Sequence, residues 1–285
     1  MGYAGPSMID YLWLCLAAGV AGAINALAGG GTLLSFPTLI GVISKQFGEK
    51  DAEVLANGTN TVALAPAALG SAWGFRRELY ELRRLLIWLL PPSLLGGVLG
   101  AYLATRWPDV FGTLVPWLIL AAATLFLVQP HLVPKKPLLI ATDKGPVKPP
   151  SDLDHVTPQR LLVMIALQFV IAIYGGYFGA GIGILMLAGL GLMGLTNIHQ
   201  MNGIKGILGG TINGIAGAVF VWQGKWVPAY ALAMTVTSIL GGYLAAHYGR
   251  QIPGKFVRWF VIAVGFFLAA YYFWNQFQQS SEPQP

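Results

Sequence analysis

Apolar residues run with few interruptions from Ile9 to Ala28 and stop at Gly29-Gly30-Gly31. A shorter run, Thr32 to Ser44 with Pro37 inside it, follows. Ala52 to Phe75, Leu85 to Thr105 and Val110 to Val128 come next, with Arg76-Arg77-Glu78 and Arg83-Arg84 between the first two. Leu161 to Ile198 carries no charge and is too long for one crossing; Gly175-Gly176 and Gly179-Ala180-Gly181-Ile182-Gly183 divide it. Gln200 to Trp222, Val227 to Gly249 and Phe256 to Trp274 complete the pattern. About 20 apolar residues make a helix that crosses a bilayer core. Five helical segments are predicted on each side of the chain's middle, the second of each five being short.

The two sets repeat each other. Ser93-Leu94-Leu95-Gly96-Gly97 and Ser238-Ile239-Leu240-Gly241-Gly242 share a glycine pair at an offset of 145 (238 less 93). Asn57-Gly58-Thr59-Asn60 and Asn202-Gly203-Ile204-Lys205 stand at the same offset, which makes Asn60 and Lys205 equivalent. Gly29-Gly30-Gly31 answers Gly181-Ile182-Gly183 at an offset of 152, the difference fitting a longer loop around Lys45 to Glu53. Shared motifs in one order at nearly one offset indicate a duplication.

Residues 129–159 break the pattern. Pro130, Pro134, Pro137, Pro146, Pro149, Pro150 and Pro158 alternate with lysines and aspartates there, a density that supports neither helix nor sheet. The chain is read as a first repeat over 1–128, an aqueous Pro/Lys-rich linker over 129–159, a second repeat over 160–275 and a polar tail over 276–285.

Composition sharpens this. Apolar residues make up 55% of the chain and charged ones 10%, too few charges to cover a soluble surface of this size. The expected fold class is all-α and polytopic, two inverted repeats of about five helical segments each, with glycine-broken hairpin helices. Met1 to Pro6 is uncharged and the first run is of spanning length, so it reads as a retained segment. Cys15 is the sole cysteine and excludes an internal disulfide. The net charge of +6 belongs with basic loops at lipid headgroups, since no basic stripe interleaved with aromatics points to nucleic acid.

Orientation follows from where the basic residues fall. If the first two segments of each half form a hairpin, one side receives Arg76, Arg77, Arg83, Arg84, Lys135, Lys136, Lys144, Lys148, Arg160, Arg250, Lys255 and Arg258. The other receives Lys45, Lys50, Arg106 and Lys225. The positive-inside rule makes the twelve-charge side cytoplasmic, with both termini on the other side. The expected location is the cell inner membrane, the linker 129–159 facing the cytoplasm. A single broken crossing in place of the hairpin weakens the bias to ten against six.

Lys205 is the one charge well inside an apolar run of the second half. Two readings are open: a fixed positive charge for an anionic substrate, or a lysine snorkelling to the headgroups from near the helix start. Asn202, Lys205, Gly209 and Asn213 fall near one helical stripe, and Asn57 with Asn60 begins the equivalent stripe in the first half, beside Thr59. Asn25 precedes the first glycine break and joins the candidates, an interhelical hydrogen bond being its alternative role. The breaks at Gly29, Gly30, Gly31, Gly181 and Gly183 would let a ligand approach free amides at helix starts, which favour anions. No aspartate or glutamate lies deep in any segment, which argues against a metal site of acids and histidines. No nucleophile has a plausible base, no phosphate loop occurs, and no cofactor is implied. The chain is not read as an enzyme.

The stretches Gly22-x6-Gly29-Gly30-Gly31 with Pro37, Tyr174-Gly175-Gly176-Tyr177-Phe178-Gly179-Ala180-Gly181-Ile182-Gly183, the two Asn-Gly segments and the paired Gly-Gly resemble the sulfite exporter TauE/SafE family of membrane proteins. The resemblance covers nearly the whole chain except the linker and tail. It implies transport, by export, of a small sulfur-containing anion such as sulfite, sulfoacetate or another organosulfonate. Inverted repeats with discontinuous helices are also the usual plan of secondary transporters. The expected reading is therefore a secondary transporter whose partners are a small anion and the lipid bilayer, not nucleic acid. Its rivals are a transporter of a different small organic anion and a membrane scaffold or assembly protein without transport.

Overall fold

The computed structural model describes residues 7–27, 30–48, 51–74, 83–132, 158–192, 195, 198–248 and 254–281. Among them are ten α-helices and no strand. The first half holds α1 (Met8–Leu27), α2 (Thr32–Phe47), α3 (Ala52–Gly74), α4 (Arg83–Arg106) and α5 (Pro108–Leu132). The second holds α6 (Pro158–Tyr177), α7 (Ile182–Leu192), α8 (Ile198–Trp222), α9 (Pro228–Tyr248) and α10 (Gly254–Ser281). Each apolar run of the sequence has become one helix, except that the undivided run from Leu161 has become two, α6 and α7, by breaking at the glycines. Pro108, Pro158 and Pro228 each open a helix, where a missing N–H has no intrahelical partner to lose. The linker keeps only its ends among the described residues: α5 runs on to Leu132 and α6 starts at Pro158.

Six of these helices, α1, α4, α5, α8, α9 and α10, are long and apolar enough to cross a membrane. The 11 residues of α7 give about 16 Å of helix, half the hydrocarbon thickness. Large apolar side chains cover the outside as well as the core: Trp13, Trp88, Leu95, Trp117, Leu162 and Phe267 are all exposed. Water would not tolerate that belt, and lipid does.

The halves interlock reciprocally. The first helix of each packs along the fourth helix of the other, α1 on α9 and α6 on α4, while α3 meets α8 and α5 meets α10. Direction can be read from contacts. Cys15 lies 4.0 Å from the Ala233 carbonyl and Gly22 touches Ser238, so α1 and α9 run parallel. Gln168 Nε2 donates to Ser93 Oγ at 2.8 Å and Gly176 touches Gly97, so α4 and α6 also run parallel. The equivalent pairs are antiparallel. Lys225 bonds Asp51 at 2.7 Å while Gly217 lies beside Val62, and Trp117 meets Phe273 with ring centroids 4.9 Å apart while Gly265 lies beside Ala123. A two-fold axis along the helices would leave equivalents parallel; antiparallel equivalents are consistent with an axis lying across them, as inverted repeats would have.

Glycine makes the interlock possible, because helices without a water-driven attraction associate through close backbone approach. A Cβ on Gly22 would overlap the Ser238 carbonyl, and one on Gly241 the Gly19 carbonyl. In the reciprocal pair, a Cβ on Gly100 would overlap the Ile173 carbonyl and one on Gly176 the Gly97 carbonyl. The Gly96 and Gly241 positions of the repeated glycine pair thus both face the other half. Gly241→Ala and Gly100→Ala are expected to cost about 1–3 kcal/mol each by overpacking, seen as a lower unfolding midpoint in detergent. Gly214→Ala, where nothing lies within 4 Å of the new methyl, should stay within about 0.5 kcal/mol of the parent.

Candidate functional site

The break between α6 and α7 is built by backbone that helices cannot supply. Gly179 and Gly181 sit at φ +82° and +78°, in the left-handed region where a side chain is strained. Tyr174 OH donates to the Ala180 carbonyl at 2.7 Å and holds the turn closed. The matching break between α1 and α2 is tied by a side chain: Gly31 N–H donates to Asn25 Oδ1 at 2.9 Å. That bond uses the amide oxygen of Asn25 and leaves its NH2 group as the remaining donor.

Beside both breaks lies a cavity of about 490 Å3. Asn25 and Thr32 contribute from the first break, Gly179 and Gly183 from the second, Pro66 from α3, and Lys205 and Asn213 from α8. Lys205 lies two turns into α8 and its side chain turns toward α7. A Cβ on Gly183 would come within 3.2 Å of Lys205 Cδ, so the absence of a side chain there is what lets the lysine stem lie over α7. Among the described residues no carboxylate pairs with Lys205, and the ion pair of Lys225 with Asp51 is elsewhere. Asn213 likewise makes no hydrogen bond to a described residue, and its Oδ1 lies 3.7 Å from where a Gly179 Cβ would stand. One cation and two asparagine amides therefore converge on one space.

The other residues singled out from the sequence are distributed differently. Asn60 is buried and its Oδ1 accepts from Ser35 Oγ at 2.6 Å. Asn57 Nδ2 donates to the Tyr177 carbonyl at 2.8 Å, binding α3 to the end of α6. Thr59 Oγ1 donates to the Leu55 carbonyl at 2.6 Å and accepts from Val227 N–H at 2.9 Å. All three join helices and none lines the cavity. Asn202 is half-buried on α8, three residues before Lys205, and does not line it either. Gly30 is pressed against the Phe126 ring and Gly31 against the Ala21 carbonyl; Gly181 serves the turn beside Ala122 and Leu125. Gly29 lies outside the described residues. Thr32, Met186 and Tyr243 line the cavity without having stood out in the sequence. Apolar and hydroxyl residues are ordinary inside membrane segments, so they carried no signal.

A second cavity, of about 930 Å3, lies among the end of α2, the starts of α3 and α5 and the end of α10. Asp51, Glu53 and Asp109 line it, a wall that disfavours anions. Aromatic pairs link residues that neighbour the two cavities in sequence. Phe36, next to Pro37 of the second cavity, meets Phe178, next to Gly179 of the first, at 5.2 Å; Phe111 meets Tyr177 at 5.1 Å.

Comparison with known proteins agrees with this architecture. A protein of Haemophilus influenzae described as "Probable membrane transporter protein" is 28% identical over 277 residues, covering 94% of this chain and 96% of its own. A Sinorhizobium sp protein described as "Probable membrane transporter protein ORF9" is 28% identical over 271 residues, covering 90% of each chain. No solved structure matches the chain. The family described as "Sulfite exporter TauE/SafE" matches residues 14–272, which is all ten helices but for their outermost turns, and the chain belongs to that family of membrane transporters.

Proposed function

We propose that the chain is a secondary transporter that exports a small sulfur-containing anion, with Lys205 as the charge that receives it. The observation that carries this is the unpaired ammonium in a built cavity. Lys205 has no counter-charge among the described residues, yet its stem is seated on Gly183 and its neighbours Asn25 and Asn213 are neutral donors. A buried charge without a partner costs several kcal/mol, and an arriving anion removes that cost while losing its own water. The antiparallel equivalents support inverted repeats, the plan in which one half rocks against the other around a mid-membrane site. With the linker cytoplasmic, the Lys205 cavity lies toward the cytoplasm, between the ends of α1 and α9 and the start of α8. The carboxylate-lined cavity then faces out. An anion loaded from the cytoplasm is carried outward.

Two outcomes are expected. Lys205→Gln keeps length and a donor but loses the charge, and should weaken anion binding about ten- to a hundredfold, the range of a charge-assisted hydrogen bond. Thermal stabilisation of the purified protein by sulfite and sulfoacetate, with flux into proteoliposomes, measures this. Lys205→Arg should retain part of the binding. A Lys205→Gln protein that binds and transports like the parent would overturn the assignment.

Orientation is tested separately. A cysteine placed by Ser151→Cys in a Cys15→Ala background should react with a membrane-impermeant thiol reagent only in opened cells. Reaction in intact cells reverses the orientation and, with it, the direction of loading.

A further inference from the structure

We infer that the Lys205 cavity selects a monovalent anion with an apolar body, in preference to bare sulfite or a divalent anion such as sulfoacetate. This rests on the proposed function of the same cavity and narrows its substrate. Charge is the first argument. Among the described residues of the lining Lys205 is the one ionised group; α1 offers Asn25, α3 offers Pro66 and Ala67, the break and α7 offer glycines with Ile182 and Met186, and α9 offers Ile239, Gly242 and Tyr243. One ammonium neutralises one negative charge. A second negative charge would be left desolvated, with no second cation among the described lining residues to meet it, the costly case for a buried ion.

Volume is the second argument. A cavity of about 490 Å3 falls within the range that takes drug-sized ligands, and is larger than a bare trioxyanion needs. The rest of the space must hold water or the body of the ligand. The walls decide between them. Lys205 and Asn213 stand two turns apart on α8, and the NH2 of Asn25 and the amide of Asn213 add neutral donors to the lining for a head group of several oxygens. Ile182, Met186 and Ile239 make the remaining wall apolar, and the Tyr243 ring adds a flat face. Met186 is one turn beyond Gly183 on α7, so it borders the space just past the lysine stem. An unbranched thioether adapts to bodies of different shape. A head of one charge with a short alkyl or aryl body fills this cavity; two charged ends do not.

The test is a homologous series on the purified protein in lipid nanodiscs. Binding of methanesulfonate, butanesulfonate and benzenesulfonate is compared with that of sulfite and sulfoacetate at pH 8, and the Lys205→Gln protein in the same nanodiscs subtracts partition into lipid. Affinity is expected to rise about threefold to fourfold per added methylene, as for transfer of that group out of water. Sulfite and sulfoacetate should bind more weakly than butanesulfonate. Met186→Ser should flatten the dependence on chain length. If the divalent anions bind most tightly, or chain length has no effect while Lys205→Gln still abolishes binding, the selectivity inference fails and the anion site stands. If Lys205→Gln binds every member like the parent, the site itself fails, and the inference with it.

Discussion

How closely α1 approaches α9, and α6 approaches α4, sets everything else in this molecule. Carbonyl oxygens of one helix rest against glycine Cα atoms of the other at Gly22, Gly241, Gly100 and Gly176. Helices that touch at backbone distance have little freedom to slide, because any side chain passing the contact would collide with a carbonyl. The lock fixes the depth of each half against the other. It also fixes the ends of α1 and α6, and those ends are where the two glycine breaks begin. A cavity bordered by both breaks follows from that placement, since unpaired backbone at membrane depth survives only where it is buried in protein or lines a cavity.

The frame is close to symmetric and its polar residues are not. Asn60 and Lys205 hold equivalent positions, but Asn60 is answered within its own half by Ser35 Oγ. At the offset of the glycine breaks, Ser35 corresponds to Leu187, which offers Lys205 nothing to bond. One half closes its polar pair and the other leaves its charge open to a cavity. On the proposed reading, duplication supplied two copies of the same framework, and a few substitutions divided them into a supporting site and a binding site.

Much of this was legible in the sequence, for physical reasons. Membrane helices must be long, apolar and internally hydrogen-bonded, so their limits show in hydropathy and glycine alone; α3 was expected over 52–75 and is found over 52–74. A charge at such depth is costly enough that Lys205 stands out on its own. What the sequence hid was which face of α3 met what. Asn57, Asn60 and Thr59 suggested a polar face toward a substrate, yet their partners are Tyr177, Ser35 and Val227, between 25 and 168 residues away. A hydrogen bond inside protein and one to a ligand use the same side chains. The carboxylate-lined cavity was hidden for a related reason: it is assembled from the ends of four helices distant in sequence.

The end of the molecule opposite the Lys205 cavity bears on how transport would proceed. Polar links tie the halves together there, among them Lys225 with Asp51, Val227 N–H with Thr59, Asn57 with the Tyr177 carbonyl, Tyr230 OH with Gln46, and Gln276 Nε2 with the Gly112 and Thr113 carbonyls. Each of the neutral bonds is worth about 1 kcal/mol net, and the half-exposed ion pair no more than about that. Their sum, a few kcal/mol, is the scale on which a ligand shifts a two-state equilibrium through differential affinity. The interlock at the glycines is of another kind, since separating it exposes backbone and voids along whole helices. On the proposed reading, the glycine contacts stay intact and act as the fulcrum, while the polar links open and re-form. On that reading, neutralising one lysine would tip a balance of that size and would not pull the two halves apart.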